Sequence, residues 1–273
     1  KKDPQPIVKN PPVDSLIYDP QPYNLSVPAY LGKLRIPADN PLTKEGVALG
    51  RMLFYEKKLS KDNSISCASC HKQELAFSDE NKFSIGVGGV LGTRQSMSLM
   101  NLVYMDSLFF WDGRSSSLEH QVLFPIEHPL EMNQSVAEAI AKLQSTDIYP
   151  GKFYSAFGTT TITGELLFKA IAQFERTLVS YNSKFDKSLR GELNLTPSEL
   201  RGRALFFTHP VPESGLRGGN CGDCHSGVLL TDKLFRNNGL DANFADLGRM
   251  IITGKSNDMG KFRVPSLRNI ALT

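Results

Sequence analysis

The chain contains four cysteines, and all four fall in two copies of one pattern, Cys67-Ala68-Ser69-Cys70-His71 and Cys221-Gly222-Asp223-Cys224-His225. No other feature restricts the fold as much. Two cysteines three positions apart share one face of a helical turn, and the histidine that follows can swing its imidazole toward whatever the cysteines hold. This is the attachment signature of c-type haem, with the cysteines bonding two vinyl groups and the histidine serving as proximal iron ligand. A zinc site built from the cysteine pairs is one alternative, but it would gather ligands across about 150 residues and need neither histidine. A redox-active disulfide is the other, and its thioredoxin-like setting expects a βαβ pattern that is not seen here. Covalent haem accounts for both histidines and leaves no cysteine over. It also points outside the cytosol, to a bacterial periplasm or cell envelope.

The rest of the chain reads as all-α with long loops. Thr196-Pro197-Ser198-Glu199 combines an N-cap, a proline at the first helical position and a glutamate reaching back, ahead of the apolar stretch from Leu200 to Phe207. Ser135-Val136-Ala137-Glu138 does the same ahead of Ile140 and Leu143. Between them Leu167, Ala170, Ile171, Phe174 and Leu178 recur at helical spacing and predict a long amphipathic helix. The first forty residues carry Pro4, Pro6, Pro11, Pro12, Pro20, Pro22, Pro28 and Pro37 without a sustained period, which predicts an extended arm over residues 1–36 that leans on the fold or tethers it.

The two halves resemble each other. Gly50-Arg51-Met52-Leu53-Phe54 precedes the first cysteine pattern and Gly202-Arg203-Ala204-Leu205-Phe206 the second, while Ser98-Leu99-Met100-Asn101 answers Ser266-Leu267-Arg268-Asn269. An internal repeat on this scale predicts two related domains, 37–185 and 186–273, joined near Asn182 to Glu192. Charge excludes some classes of function. The formal net charge of +3 is spread without a block of five like charges, so neither a nucleic-acid footprint nor a membrane-surface helix is indicated. No apolar run approaches the roughly 20 residues that span a bilayer. The start, Lys1-Lys2-Asp3-Pro4, has neither a methionine nor an apolar signal core, and the expectation is that any export signal is cleaved or lies outside the sequence.

One stretch, FSIGVGGVLGTR over 83–94, carries Gly86, Gly88, Gly89 and Gly92 and invites a phosphate-binding reading. It fails the dinucleotide fingerprint, because Leu91 stands where the third glycine belongs.

The string FFWDGRSSSLEHQVLFPIEHPLEM, taken with the twin cysteine patterns, TRQSMSLMN and FRVPSLRNIALT, resembles the bacterial dihaem cytochrome c peroxidase and MauG family from about Pro37 to Thr273. The resemblance implies two cytochrome c-like helical domains. It makes His71 the proximal ligand of a peroxidatic haem bound through Cys67 and Cys70, and His225 that of an electron-transfer haem bound through Cys221 and Cys224. It sets Trp111 between the haems, with Gln121 and Glu131 in the distal pocket. A carboxylate suits O–O cleavage, because one group must take a proton from the bound oxygen and return it to the leaving one. His120, His128 and His209 receive no role.

Three features bear on how far the family pattern holds. Many relatives carry an iron-capping histidine sixteen residues after the proximal one, and here that position is Val87. Valine cannot ligate iron, so the resting first haem is expected to be open or water-bound. Calcium in relatives sits between the haems, and the corresponding positions here are Gln95 and Thr273; a glutamine amide oxygen is still a hard ligand. In relatives the distal ligand of the second haem, methionine in peroxidases and tyrosine in MauG, comes from a segment after the position of Thr273.

The expected function is reduction of hydrogen peroxide to water with electrons from a small cytochrome c or cupredoxin, by a homodimer. Two rivals stay open: a MauG-like oxidase of a protein or organic substrate, and a non-enzymatic dihaem electron carrier.

Overall fold

The computed structural model describes residues 17–273, so Pro4, Pro6, Pro11 and Pro12 of the expected arm lie outside the described residues. It is mostly helical. Nine helices are formed among the described residues: α1 (Lys44–Phe54), α2 (Cys67–Cys70), α3 (Leu118–Glu127), α4 (Val136–Gln144), α5 (Tyr149–Phe157), α6 (Gly164–Arg176), α7 (Lys184–Leu189), α8 (Pro197–Phe207) and α9 (Met250–Thr253). Two short strands, β1 (Phe235–Arg236) and β2 (Phe262–Arg263), pair antiparallel with Phe235 opposite Arg263.

The core is built around α1 and α6. The Thr43 hydroxyl accepts from Gly46 N at 3.0 Å and starts α1, and the Thr163 hydroxyl does the same for α6 from Leu166 N at 3.3 Å. The apolar stripe predicted for α6 is buried throughout: Leu167, Ala170, Ile171 and Phe174 all face the interior, with Leu178 just past the helix end. Each such side chain contributes about 1.5–3 kcal/mol when fully removed from water. The two helices cross closely at Gly50, where a Cβ would collide with the Ala170 carbonyl. Helices α3, α4 and α5 close the core through Val122, Ile126, Leu143 and Phe153.

Residues 22–34 lie along this body. Tyr23 N donates to Leu42 O at 3.0 Å. Further on, Leu25, Val27 and Leu31 pack with Val103 and Tyr104 of the first half and Val228 and Leu229 of the second.

The second half is held more by polar contacts than by apolar ones. Thr196 and Glu199 form the predicted reciprocal cap of α8, at 3.3 and 2.7 Å, yet Leu200 and Leu205 on that helix stay half exposed. Helix α7 spans the stretch where the sequence predicts a join, and its Asp186 is fully buried against Arg268 at 2.9 and 2.7 Å. Arg94 adds a second tie between the halves, donating to both oxygens of Asp246 at 2.7 and 2.9 Å.

Candidate active site

Helix α2 carries the first cysteine pattern in a single turn. Ser69 Oγ accepts from Ser66 N at 3.0 Å and fixes the entry to that turn. Cys67 and Cys70 are both half-buried. Burial pushes their thiols up, to about 12 for Cys67 and about 11 for Cys70, the opposite of what a disulfide-exchange nucleophile or a zinc thiolate needs. Among the described residues no group of three His, Cys, Asp or Glu side chains gathers to hold a metal ion.

His71 closes the turn. Its Nδ1–H donates to Phe77 O at 3.0 Å, which assigns the proton to Nδ1 and leaves Nε2 with a free lone pair. Burial pushes its pKa down, so the imidazole is neutral, as a metal ligand must be. The second pattern repeats the relation, with His225 Nδ1 3.2 Å from Leu230 O. The loops that complete the two half-sites match as well. Ser98 Oγ donates to Ala76 O at 2.7 Å and Ser266 Oγ to Leu229 O at 2.6 Å. Asn101 and Asn269 both turn through positive φ, and both side-chain oxygens accept from one residue, Ser180, at 3.0 Å from its N–H and 2.9 Å from its hydroxyl.

Cys67, Cys70 and His71 open onto a cavity of about 520 Å³ whose wall is largely apolar. That size lies within the range of cofactor pockets. The donor set suits an iron porphyrin: two sulfurs on one turn, a bare Nε2 beside them and a largely apolar space in front. Gln121, Glu131 and Trp111 line the same cavity, so the structure brings together the residues predicted for the first haem.

Each is held by its own local device. Gln121 projects from α3. Pro125 interrupts the N–H row of α3, and beyond the helix end the chain folds back: Met132 N donates to Pro125 O at 3.0 Å and Gln134 N to Ile126 O at 2.8 Å. That return loop presents Glu131 to the cavity. Burial raises the carboxyl's pKa, opposed by the nearby His128 and Arg114 charges. Its side chain keeps 38% of its surface open, and as a lining residue it faces the cavity. Trp111 is fixed from both halves, its Nε1–H donating to Gln95 O at 2.9 Å and its carbonyl accepting from Arg263 N at 2.8 Å.

The glycine-rich stretch is docked onto this loop. Ile85 bridges Leu91, Gly86 N donates to Val90 O at 2.8 Å, and Val87 N donates to Glu131 O at 2.9 Å. Gly86 has no room for a side chain, because a Cβ would collide with Leu130 O and crowd Glu131 O. Ile85, Gly86 and Gly92 line the cavity and Val87 does not. Gly86→Ala is expected to cost about 1–3 kcal/mol through overpacking, read as a lower urea midpoint; an unchanged midpoint would mean that the loop is free of the Glu131 segment.

The two positions matched to calcium differ in their surroundings. Gln95 lines the cavity and donates its amide to Asp79 O at 2.7 Å, while Thr273 is exposed and outside the lining.

Two groups were missed in the sequence. Arg114 stacks over Phe110, 3.6 Å from the ring centroid, and donates to Asp112 at 3.1 Å, beside Glu131. Glu175 lines the cavity from α6. Its signal was present, since position 175 falls one turn after Ile171 on the apolar stripe, where a carboxylate is out of place.

The chain is similar to known proteins. The family described as Di-haem cytochrome c peroxidase matches residues 44–194. The cytochrome c peroxidase Ccp of Escherichia coli K12 is 38% identical over 247 residues, covering 87% of this chain and 50% of the relative. Cytochrome c551 peroxidase of Nitrosomonas europaea is 36% identical over 243 residues, covering 87% of this chain and 70% of the relative. A solved MauG-like protein associated with microbial copper homeostasis superposes with a TM-score of 0.83 at 36% identity, covering 92% of this chain and 77% of that one. The chain thus spans half the length of the E. coli relative.

Proposed function

The chain belongs to the di-haem cytochrome c peroxidase family, and from that premise we propose that it reduces hydrogen peroxide to two waters with two electrons from a small cytochrome c or cupredoxin. The observation that carries the reading is the convergence of Glu131, Gln121 and Trp111 on the cavity behind Cys67, Cys70 and His71. The first haem is held there through the two sulfurs and His71 Nε2, and the second through Cys221, Cys224 and His225. The matched hydrogen bonds of the two half-sites support an origin by duplication, with two cytochrome c-like domains and a proline-rich arm before them. A homodimer, a periplasmic location and calcium near Gln95 belong to the same reading.

When bound, the haem at His71 supplies the iron at which the O–O bond is broken. The protein's own residues manage protons and position. Glu131 accepts the proton of the inner peroxide oxygen and returns it to the outer one, which leaves as water. Its raised pKa brings it closer to neutral pH, where a carboxyl can both take and give a proton. The Gln121 amide donates to peroxide and holds it across the cavity from His71. Trp111, tied to Gln95 on one side and Arg263 on the other, is the route by which electrons cross from the second half.

Val87 has consequences for the resting state. With valine at the capping position, the ferric first haem is expected to give a high-spin absorption spectrum without prior reduction, and a wholly low-spin spectrum would contradict this. The same feature favours the second reading, a MauG-like oxidase, which the similarity to a MauG-like structure also supports. A third reading, a non-enzymatic electron carrier, leaves Glu131 without a purpose.

Haem attachment is the direct test. Intact mass under denaturing conditions is expected to show two covalently retained haems, one in the double variant Cys67→Ala/Cys70→Ala. A mass without haem would sink the proposal.

A further inference from the structure

Glu175 occupies the last turn of α6 and lines the cavity together with Ile171 one turn earlier. The residue is only 4% exposed, and its Oε2 is buried without a hydrogen-bond partner. The obvious counter-charge is spent elsewhere, because the Arg176 guanidinium donates to both oxygens of Glu119 at 2.6 and 3.1 Å. A bare carboxylate in such a place carries a large desolvation cost, so the group is ionised only while a positive charge in the cavity repays its own, and it takes a proton when that charge is lost. Burial pushes its pKa up to about 8, with Arg176 lowering it and Glu119 raising it.

Most of the charges around Glu175 are already engaged. On α3, Glu119 is engaged by Arg176, and His120 is tied to Ser115 at 3.1 Å. On α1, Lys44 and Arg51 are exposed, and Glu45 accepts from Gln21 N. On α4, Lys142 is bound to Ser60 O, Lys61 O and Asn63, and Glu138 caps its own helix. Next to α6, Tyr104 has a buried hydroxyl without a partner. The cavity wall adds the Cys67 and Cys70 sulfurs, His71, Glu131 with His128 and Arg114, the Arg94–Asp112 pair, and Arg263, which donates to Lys233 O and Ser107 O.

We infer that Glu175 is a proton-holding site of the first cavity, taking up one proton from solvent when the haem held by His71 gains one electron and releasing it when that electron leaves. The inference rests on the reading that this cavity holds a haem. No covalent bond other than the carboxyl O–H forms or breaks, and the electron comes from the donor protein. Reducing one peroxide to two waters consumes two electrons and two protons. Glu131 only passes a proton between the two oxygens, so the stored proton at Glu175 is a separate supply. The coupling is electrostatic. An electron added across an apolar, low-dielectric space raises the proton affinity of a nearby carboxyl, and the carboxylate in turn disfavours the electron.

Redox titration of the haem-loaded protein between pH 6 and 9 tests this. Wild type is expected to show the first haem's reduction weakening as pH rises, approaching a tenfold loss in equilibrium constant per pH unit, ~59 mV, around the pKa of Glu175. Glu175→Gln is expected to flatten that dependence, while Glu131→Gln keeps it. Reduced-minus-oxidised infrared spectra give a reading that needs no change at Glu175. In Glu131→Gln protein a protonated-carboxyl band that shifts on ¹³C-glutamate labelling is expected to rise on reduction. Covalent haem present with a pH-independent potential, with an unchanged slope in Glu175→Gln, or without that band would overturn this inference alone. Absence of haem would overturn the functional reading as well.

Discussion

Replacing Glu131 with Gln is expected to lower peroxide turnover by about 10²–10⁴-fold, with the haem spectrum and the unfolding midpoint unchanged. The substitution keeps size and shape but removes the ability to take a proton. The bonds that seat this loop, Val87 N to Glu131 O at 2.9 Å and Glu131 N to His128 O at 3.0 Å, use only the backbone and survive. Because burial raises the carboxyl's pKa, the sign of the pH effect is fixed. Glu131 works as a base when deprotonated, so wild-type turnover falls on acidification through a value above the ordinary carboxylate range. The Gln variant lacks that acid limb. Steady-state peroxide consumption against pH, with a reduced donor cytochrome, measures both effects, and an unchanged rate would remove Glu131 from the mechanism.

Asp186→Asn is expected to cost about 3–5 kcal/mol of stability, read from urea unfolding. Asp186 is fully buried and ties three distant segments: it accepts from Arg268 at 2.9 and 2.7 Å, from Ser183 N and Oγ at 2.9 and 2.7 Å, and from Tyr30 OH at 2.9 Å. The amide leaves Arg268 buried without a counter-charge. Burial alone would raise the carboxyl's pKa, but the bonds from Arg268, Ser183 and Tyr30 outweigh it and hold the group well below the ordinary range. A lowered folded-state pKa contributes stability that is present in full above roughly pH 5 and lost as pH falls toward the lowered value. Wild type should therefore lose this contribution on acidification, and the Asn variant has none to lose. The double variant Asp186→Asn/Arg268→Met should recover part of the cost, since no charge is then stranded. A loss no larger than that of an exposed pair such as Arg35 and Asp106, about 0–1 kcal/mol, would contradict this account of the buried pair.

Much of the site was legible in the sequence because it is written in short-range patterns. The cysteine pairs and their histidines lie within one helical turn, and the α6 stripe and the Ser135 and Thr196 caps each span a few residues. Glu131, Gln121 and Trp111 came only from the resemblance of their segment to the family, since a lone glutamate or tryptophan carries no such signal by itself. What escaped depends on contacts between distant residues. The glycines of 83–94 invited a phosphate-binding reading, yet Gly86 is a glycine because two carbonyls of the Glu131 loop lie against it. The Asp186–Arg268 pair spans 82 residues, and Ser180 serves two asparagines that only the folded chain brings to it. Glu175 breaks the α6 stripe one turn after Ile171, and only the cavity in front of it gives that placement a meaning.

The central claim is that this chain reduces peroxide at a haem held by His71 with electrons that arrive through the second half. Counting donor electrons per peroxide consumed tests it most directly, with a reduced small cytochrome c or cupredoxin as donor. The account predicts two donor molecules oxidised for each peroxide, turnover after turnover. Peroxide left unconsumed, or consumed once to give a long-lived oxidised protein that the donor does not restore, would contradict it.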